Sequence, residues 1–213
     1  MAMLTQNRSR LLLGCGPMAL ASSLTLTPER AQAQAVQATP VVVEGVAVRN
    51  ITGSTTETIN LDSSTTVIDW TPQQDAAGNT LTILPDGNVA TFQNDLGVPE
   101  FGVLNRILPS AAGDVVMIDG SVVSQYFDPA QNSFVTGGTI AFYSPTGILV
   151  GGNAAFDVGS LILTSLEPDI ASFEDFNEAG GTLNLTPGNA QQPGSVIVRA
   201  GAQINAPQEG SFL

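Results

Sequence analysis

The chain contains no lysine and no histidine, and Cys15 is its one cysteine. Six arginines stand against 19 acidic residues, which gives a formal net charge of −13 at pH 7. Six arginines without any lysine are too few to neutralise a run of phosphates, so the composition argues against nucleic-acid binding. The acidic balance also argues against docking on anionic lipid. The missing histidine excludes Ser-His-Asp triads, and with one cysteine the usual zinc sites are excluded too.

Charge of either sign is scarce. Charged residues make up 12 % of the chain, about half the usual share of a soluble globular protein. The surface must therefore be built from threonine, serine, asparagine, glutamine and glycine. A length of 213 residues is enough for one sizeable domain or two small ones.

The first 33 residues have the pattern of a bacterial signal peptide. Residues 1–10 carry two arginines and no acid, residues 11–26 are mostly apolar, and Ala31-Gln32-Ala33 fits an A-x-A cleavage site, with Ala33-Gln34-Ala35 as an alternative. A membrane anchor or core helix is disfavoured, because the apolar stretch is shorter than the ~20 residues of a span. Lipid attachment at Cys15 is disfavoured by the short apolar stretch before it.

Cleavage would leave residues 34–213, with three arginines, eighteen acidic residues and no cysteine, a net charge of −15. An exported chain without disulfides must be held together by backbone hydrogen bonds and an apolar core. This part has no second apolar run long enough for a membrane-spanning helix, so stable membrane insertion is not expected.

Short apolar segments separated by turn-forming residues fill the mature chain, which predicts an all-β protein. A helical period occurs only weakly, between Ile170 and Ala179. The predicted strands are Val41–Val43, Val46–Val48, Thr58–Leu61, Thr66–Trp70, Leu81–Leu84, Val89–Phe92, Val115–Ile118, Ser121–Val123, Thr139–Phe142, Ile148–Val150, Ser160–Leu163, Leu183–Leu185, Val196–Val198 and Gln203–Asn205.

Two β architectures use strands this short. A sandwich or barrel joins its strands by hairpins, for which Asp86-Gly87 and Asp119-Gly120 are candidate turns. A right-handed parallel β-helix coils in rungs of about 20 residues, and each short strand stacks on its equivalent in the next rung. The spacing in the C-terminal half favours the β-helix. In that fold Ile148–Val150 is one side of a coil, and Gly151-Gly152 is a corner.

Ordered sequence motifs strengthen the β-helix prediction. A turn reads Ser144-Pro145-Thr146-Gly147-Ile148, and a later strand reads Val158-Gly159-Ser160-Leu161. The stretch from Gly137 to Leu166 that contains them resembles the secretion domain of two-partner-secretion exoproteins, the filamentous-haemagglutinin family, whose turn is Asn-Pro-Asn-Gly-Ile. Further matches in family order are Val67-Ile68-Asp69-Trp70, Leu104-Asn105-Arg106-Ile107, Glu174-Asp175-Phe176, and Gly194-Ser195-Val196 through Ile204-Asn205-Ala206. The resemblance covers about residues 40 to 213.

The chain also departs from the family pattern. Ser144 and Thr146 replace the two turn asparagines, which keeps a hydroxyl group but loses the second hydrogen-bonding partner of an amide. Pro145 and Gly147 keep the turn geometry, so we expect a role in shape rather than a specific amide contact. A loop over residues 127–138 is longer than in the family, and residues 168–172 look like an insertion.

The resemblance implies a fold and a function. The fold is a right-handed parallel β-helix, a single-stranded β-solenoid, with N-terminal cap strands and extra-helical loops. The function is that of a non-enzymatic secretion domain without cofactor or metal, recognised by an outer-membrane β-barrel transporter with periplasmic domains and folding outside the cell. The partner or turn motif is Asn105, Arg106, Ser144, Pro145, Thr146, Gly147 and Ile148.

The implied location is the cell surface or the medium, reached through the periplasm of a Gram-negative bacterium. Because residues 210–213 look like a strand on an open rung, we expect residues 34–213 to be the N-terminal part of a longer exoprotein. Any binding of a host surface or glycan would then belong to regions beyond this chain.

Two other functions stay open. A stand-alone carbohydrate-binding β-solenoid adhesin would need an exposed aromatic row, which an aromatic share of 6 % disfavours. A polysaccharide-cleaving β-helix enzyme would use Asp119, Asp128 and Asp157 with Arg199, although aspartates in such positions are favoured simply as turn formers.

Three local features have plain structural interpretations. Arg106 is expected to anchor an extra-helical loop by pairing with a carboxylate rather than to contact a partner. Trp70 is expected in the core or the cap. A stretch rich in acidic residues is expected to be a solvated loop rather than a calcium site; it comprises Glu167, Asp169, Glu174, Asp175 and Glu178.

Overall fold

The structure is a computed structural model, and it describes residues 34–73, 80–110, 113–188 and 193–207. The predicted signal peptide, with Cys15 and the first cleavage site, lies outside the described residues. The strand expected at residues 210–213 also lies outside them.

The described part of the chain is built almost entirely of short strands, as the apolar pattern predicts. Its elements are β1 (Ala38–Glu44), β2 (Ala47–Ile51), β3 (Thr56–Leu61), β4 (Thr65–Pro72), β5 (Thr80–Leu84), β6 (Val89–Asn94), β7 (Gly102–Ile107), β8 (Val115–Ile118), β9 (Ser121–Asp128), β10 (Ser133–Thr136), β11 (Thr139–Tyr143), β12 (Ile148–Val150), β13 (Ala155–Asp157), β14 (Ser160–Thr164), β15 (Glu167–Pro168), α1 (Ile170–Ala179), β16 (Leu185–Thr186), β17 (Val196–Val198) and β18 (Gln203–Asn205). The all-β prediction is confirmed.

Three sheets with parallel pairing contain most of these strands. Sheet 1 has the order β1-β4-β7-β11-β14, sheet 2 the order β5-β8-β12-β17, and sheet 3 the order β2-β3-β6-β9-β13-β18. The chain runs from sheet 1 to sheet 2 to sheet 3 and then returns to sheet 1. We call each passage a circuit. The four circuits are β4-β5-β6, β7-β8-β9, β11-β12-β13 and β14-β17-β18.

Equivalent strands of successive circuits pair in register, so like positions face the same interior. In sheet 2, Val116 pairs with Ile148, and Ile148 pairs with Val196. In sheet 1, Val103 pairs with Ile140, which pairs with Leu161. Because alternate side chains of a strand point to the same face, these rows bury one continuous apolar core.

The turns between sheets contain the expected glycines. Gly151-Gly152 lies between β12 in sheet 2 and β13 in sheet 3. Asp86-Gly87 and Asp119-Gly120 occupy the same kind of corner in earlier circuits, between β5 and β6 and between β8 and β9. The strands that they join belong to different sheets, so these Asp-Gly pairs do not form hairpins.

A helix covers the outer face of sheet 1. Phe173 of α1 is fully buried there, against a row formed by Val67, Leu104, Ala141 and Ile162. The strands β4, β7, β11 and β14 of sheet 1 are therefore buried on both faces over most of their length, whereas β1 at the edge of the sheet is largely exposed.

The expectation of a solvated loop in the acid-rich stretch is wrong for its backbone. Asp169 is the N-cap of α1, and its side chain accepts a hydrogen bond from the Ser172 N–H at 2.9 Å. The helix ends at Gly180, which has a φ of 66°. Phe173 holds the helix on the sheet, so three of the five acidic residues lie on a packed helix. Those three are Glu174, Asp175 and Glu178.

Other differences concern extra segments. Residues 127–138, expected to form a loop, are mostly part of an antiparallel hairpin, because β9 continues to Asp128 and pairs with β10. The apolar pattern does not predict strand β7, because polar Asn105 and Arg106 interrupt it. The strand expected at Leu183–Leu185 is only the pair Leu185–Thr186, opposite β15.

The two ends of the stacked circuits differ. At the first circuit, β1 pairs antiparallel with β4, and β2 pairs antiparallel with β3. At the last circuit, Val198 is 47 % exposed, whereas its register partners Ile118 and Val150 are fully buried. The first circuit is thus flanked by two antiparallel strands, and in the described residues the last circuit leaves part of its apolar row in contact with solvent.

Replacing Phe173 by alanine tests the role of α1 as a cover. We expect Phe173→Ala to lower the free energy of unfolding by about 3–5 kcal/mol, because a fully buried ring is lost. The measurement is denaturant unfolding of residues 34–213. Phe134→Ala is the control, since that ring is 42 % exposed. Equal losses in both variants would contradict the assigned packing of the helix.

Candidate functional site

The turn at residues 144–148 links β11 of sheet 1 to β12 of sheet 2. The Gly147 N–H donates to the Ser144 carbonyl at 3.1 Å, and Gly147 has a φ of 105°, which favours glycine. The hydroxyls of Ser144 and Thr146 lie 3.1 Å apart and share a hydrogen bond. The hydroxyls thus bond to each other across the turn.

The turn is held between the circuits on either side. The Gly147 carbonyl accepts from the Val116 N–H of the preceding circuit at 3.1 Å, and the Ile148 N–H donates to Ser195 of the following circuit at 3.0 Å. A Cβ atom on Gly194 would overlap the backbone of Thr146. Two turns therefore meet backbone to backbone, and this close approach requires glycine at residue 194.

Asn105 points into the core rather than toward a partner. It is fully buried and shares a register row with Ile68 and Phe142. Its Oδ1 accepts from Trp70 Nε1 at 2.9 Å, and its Nδ2 donates to the Ala141 carbonyl at 3.2 Å. Both ends of the amide are bonded, so Asn105 ties three strands together from inside. Trp70 lies in the core, one of the two places expected for it.

Arg106 points to the other face of β7. Its Nε lies 3.0 Å from Asp69 Oδ1, and Asp69 is its direct register partner on β4. The two atoms lack aligned hydrogen-bond geometry, and the side chains are 18 % and 25 % exposed. Such a pair contributes about 0–1 kcal/mol. Arg106 does pair with a carboxylate as expected, but the carboxylate is on the adjacent strand, not in an extra-helical loop.

The register of sheet 1 brings the two predicted motifs side by side. Asn105 and Arg106 lie opposite Phe142 and Tyr143, the last two residues before the turn at Ser144. The Ser144 N–H then donates to Thr164 of the next circuit at 3.2 Å. The motif residues thus form one continuous strip across β7, β11 and the turn, and only Pro145, Thr146 and Arg106 among its side chains are partly exposed.

Tyr143 lies beside Arg106 in this strip and is buried. Burial raises the pKa of its phenol, and the negative charge of Glu167 raises it further, while Arg106 lowers it. The phenol therefore stays neutral in the folded protein over a wider pH range than in the unfolded chain.

The candidate catalytic aspartates are each engaged locally. Asp119 accepts from the Asn153 N–H at 3.0 Å, and Asp157 accepts from Asn205 Nδ2 at 2.8 Å. Asp128 accepts from the Ala130 N–H at 2.8 Å and from Gln131. The Gln131 bond is the main cause of the lowered pKa of Asp128. Asp128 bonds within its own turn, and Asp119 and Asp157 bond to neighbouring circuits, so these contacts are structural.

Among the described residues, no group of three or more acidic, cysteine or histidine side chains is arranged to hold a metal ion. No helix of this part is both long and apolar enough to cross a membrane.

A buried ion pair lies near the amino terminus of the described residues, and the sequence pattern does not predict it. Arg49 of β2 pairs with Glu57 of β3 at 2.7 Å and lies over the Trp70 ring at 5.4 Å. The same guanidinium donates to the carbonyls of Val36 at 2.5 Å and Ala38 at 2.9 Å. The sequence feature that could have pointed to this ion pair is the rarity of cations, since Arg49 is one of three arginines after residue 33.

No protein-family model matches the chain, and no curated protein matches it either.

Removing the buried amide tests the structural role of Asn105. We expect Asn105→Ala to destabilise the fold by about 1–3 kcal/mol or more, because the Trp70 indole N–H and the Ala141 carbonyl lose a partner. The measurement is chemical unfolding followed by the fluorescence of Trp70, the single tryptophan. Asn153→Ala, at an exposed asparagine, is the control. A change no larger than in the control would refute this role.

The raised pKa of Tyr143 predicts a loss of stability at alkaline pH. The unfolded chain releases the phenolic proton near the ordinary value of 10.0 and the folded chain only at higher pH. The contribution is therefore complete below pH 10.0 and is lost as pH rises through the folded pKa. Unfolding measured against pH should show a weaker alkaline decline in Tyr143→Phe than in Tyr126→Phe. Identical alkaline slopes would contradict the assignment.

Proposed function

We propose that this chain is a right-handed parallel β-helix that acts as the N-terminal secretion domain of a larger exported surface protein or adhesin. Its partner is an outer-membrane β-barrel transporter with periplasmic domains. The transporter captures the chain before it folds, and the β-helix forms outside the cell. The function is non-enzymatic.

The observation that carries this proposal is the repeated passage of the chain through three parallel sheets. Four circuits follow one order, and equivalent strands pair in register. A β-solenoid accounts for this order directly, since each coil contributes one strand to each side. Its right hand follows from the usual chirality of connections between parallel strands. The caps β1 and β2, the β9-β10 hairpin and α1 then take the places of cap strands and extra-helical segments.

The sequence resemblance supports the secretion role. The turn at residues 144–148 and the pair Asn105-Arg106 belong to one strip across neighbouring strands. Their contacts hold circuits together, and their burial leaves little side-chain surface for a folded partner. A transporter that reads these residues would therefore meet them before the fold forms. This agrees with capture of an extended chain.

Physical features of the mature chain suit such transport. It has no cysteine, so no disulfide obstructs passage through a narrow pore. Strand pairing joins each circuit to its immediate neighbours, so circuits can form one after another as the chain emerges. Folding outside would then oppose backward movement of the chain.

The alternative functions have less support. A glycan-binding solenoid would use an exposed aromatic row, but Phe134 is the one aromatic among the strongly exposed large apolar residues of the described part. A polysaccharide-cleaving enzyme would need carboxylates free for chemistry, whereas Asp119, Asp128 and Asp157 each have a local hydrogen-bond partner.

Secretion with and without a partner tests the proposal. The chain is expressed with residues 1–33 in a Gram-negative host, with or without a co-expressed two-partner transporter, and protease accessibility at the cell surface is followed. We expect transporter-dependent appearance outside the cell. Replacing Pro145 and Gly147 by alanine should reduce it, because the motif is altered in the extended chain and because folding outside, which opposes backward movement, is impaired without the turn. Pro129→Ala, in the exposed hairpin turn, is the matched control and should be secreted normally.

Two outcomes decide against the secretion role. Equal surface appearance without any transporter would overturn it, as would unchanged secretion of the Pro145 and Gly147 variant. A Cβ atom on Gly147 would lie 2.7 Å from the Ser195 carbonyl, so the purified variant must also be tested for folding. Loss of secretion with loss of folding is consistent with a structural role of the turn in transport.

A further inference from the structure

We propose that the mature protein begins at Gln34 and that its new α-ammonium group binds the buried carboxylate of Glu57. Removal of the signal peptide would then complete the closure of the first circuit. This inference rests on the export part of the proposed function and does not depend on the transporter.

Residues 35–38 form a plug that closes the core. Ala35 and Ala38 are fully buried, and Val36 is nearly so. The Gln37 N–H donates to the Ile83 carbonyl of β5 at 2.7 Å, and the Ala35 carbonyl accepts from Asn88 Nδ2 at 2.9 Å. The plug therefore belongs to the folded domain and is not a loose leader.

Glu57 offers an incomplete anion site beside this plug. Its side chain is fully buried, and its Oε2 accepts from the Val36 N–H at 3.1 Å and from Arg49 Nη2 at 2.7 Å. Its other oxygen, Oε1, is buried without a hydrogen-bond partner among the described residues. A buried carboxylate oxygen is strongly favoured to find a donor. The Arg49 guanidinium also donates hydrogen bonds to the carbonyls of Val36 and Ala38, and it does not bond to Oε1.

The plug decides between the two cleavage sites in the sequence. Cleavage after Ala35 would delete a fully buried residue and the acceptor of the Asn88 amide. Cleavage after Ala33 keeps the plug whole and leaves half-buried Gln34 as the first residue. A signal peptidase adds water across the Ala33–Gln34 amide bond, so Ala33 gains a carboxylate and Gln34 gains an amine, protonated at neutral pH.

The new charge would arise next to the incomplete site. Gln34 precedes Val36 by two residues, and the chain bends at residues 35 and 36. The Val36 N–H already bonds to Glu57. The charged side chains that contact the plug are Glu57 and Arg49, while the contacts from Ile83 and Asn88 are uncharged. An α-ammonium on Oε1 would supply the missing donor, and the carboxylate would favour its charged form.

The composition provides a selective probe. The sequence contains no lysine, so the α-amine is the one primary amine of the mature chain. The exported chain is purified and its mass determined, and it is then acetylated with an amine-directed reagent over a range of pH. We expect a chain that starts at Gln34. We also expect a pH midpoint for acetylation raised by one unit or more above the ordinary value of about 7.7–8.0, which slows the reaction about tenfold near that pH.

Two variants separate ion pairing from burial. Glu57→Gln should return the midpoint to the ordinary value, and Glu44→Gln, at an exposed glutamate of β1, should leave it raised. Glu57→Gln also weakens the Arg49 contact, so a chain that starts at Ala33 is the second variant. It keeps Glu57 but displaces the amine by one residue, and its midpoint should be ordinary even if Glu57→Gln does not fold.

Several results would overturn the inference. These are a mature chain that starts at Val36, retention of residues 1–33, loss of the amine by cyclisation of Gln34, or an unshifted midpoint in the native chain. A chain that is processed and shows the raised midpoint but stays in the periplasm when the transporter is present would leave this inference standing. That result would count against the secretion role alone.

Discussion

Hydrogen bonding between equivalent strands of successive circuits is the interaction on which the structure depends. The three-residue strand β12 pairs with β8 on one side and β17 on the other. The Gly147 carbonyl and the Gly151 N–H bond to the circuit before, while the Ile148 N–H and the Val150 carbonyl bond to the circuit after. A strand this short has too few contacts to persist alone, and its backbone groups are satisfied only because both neighbours are present.

The same dependence makes the ends of the stacked circuits the critical places. At the first circuit, buried polar side chains hold the neighbouring chain segments in place. Arg49 and Glu57 hold the plug at residues 35–38, and Asn105 ties Trp70 to the next strands. At the last circuit the pattern of burial stops, with Ile197 and Val198 about half exposed. Within the described residues, antiparallel strands and the plug flank the first circuit, whereas apolar side chains of the last circuit are partly exposed.

The sequence predicts the strands well and the polar contacts poorly. Short β-branched segments between turn formers indicate the all-β class, and the glycines at residues 151 and 152 mark a corner. The apolar residues of α1 repeat with only a weak helical period. The helix forms because Asp169 caps it and Phe173 is buried on sheet 1. The role of Asn105 depends on the register between β4, β7 and β11, which brings Trp70 and Ala141 to it. Local pattern does not encode that register, so the sequence alone does not predict that the Asn105 side chain points into the core.

Amide hydrogen exchange in residues 34–213 tests the central claim most directly. The Ile148 and Gly151 amides donate to neighbouring circuits at 3.0 and 2.8 Å. If stacking sustains the short strands, these amides should exchange only through global unfolding, like those in the long strand β4. The Ala130 amide, in the exposed hairpin turn, should exchange through local opening. Exchange of the Ile148 and Gly151 amides as fast as that of Ala130 would contradict the account.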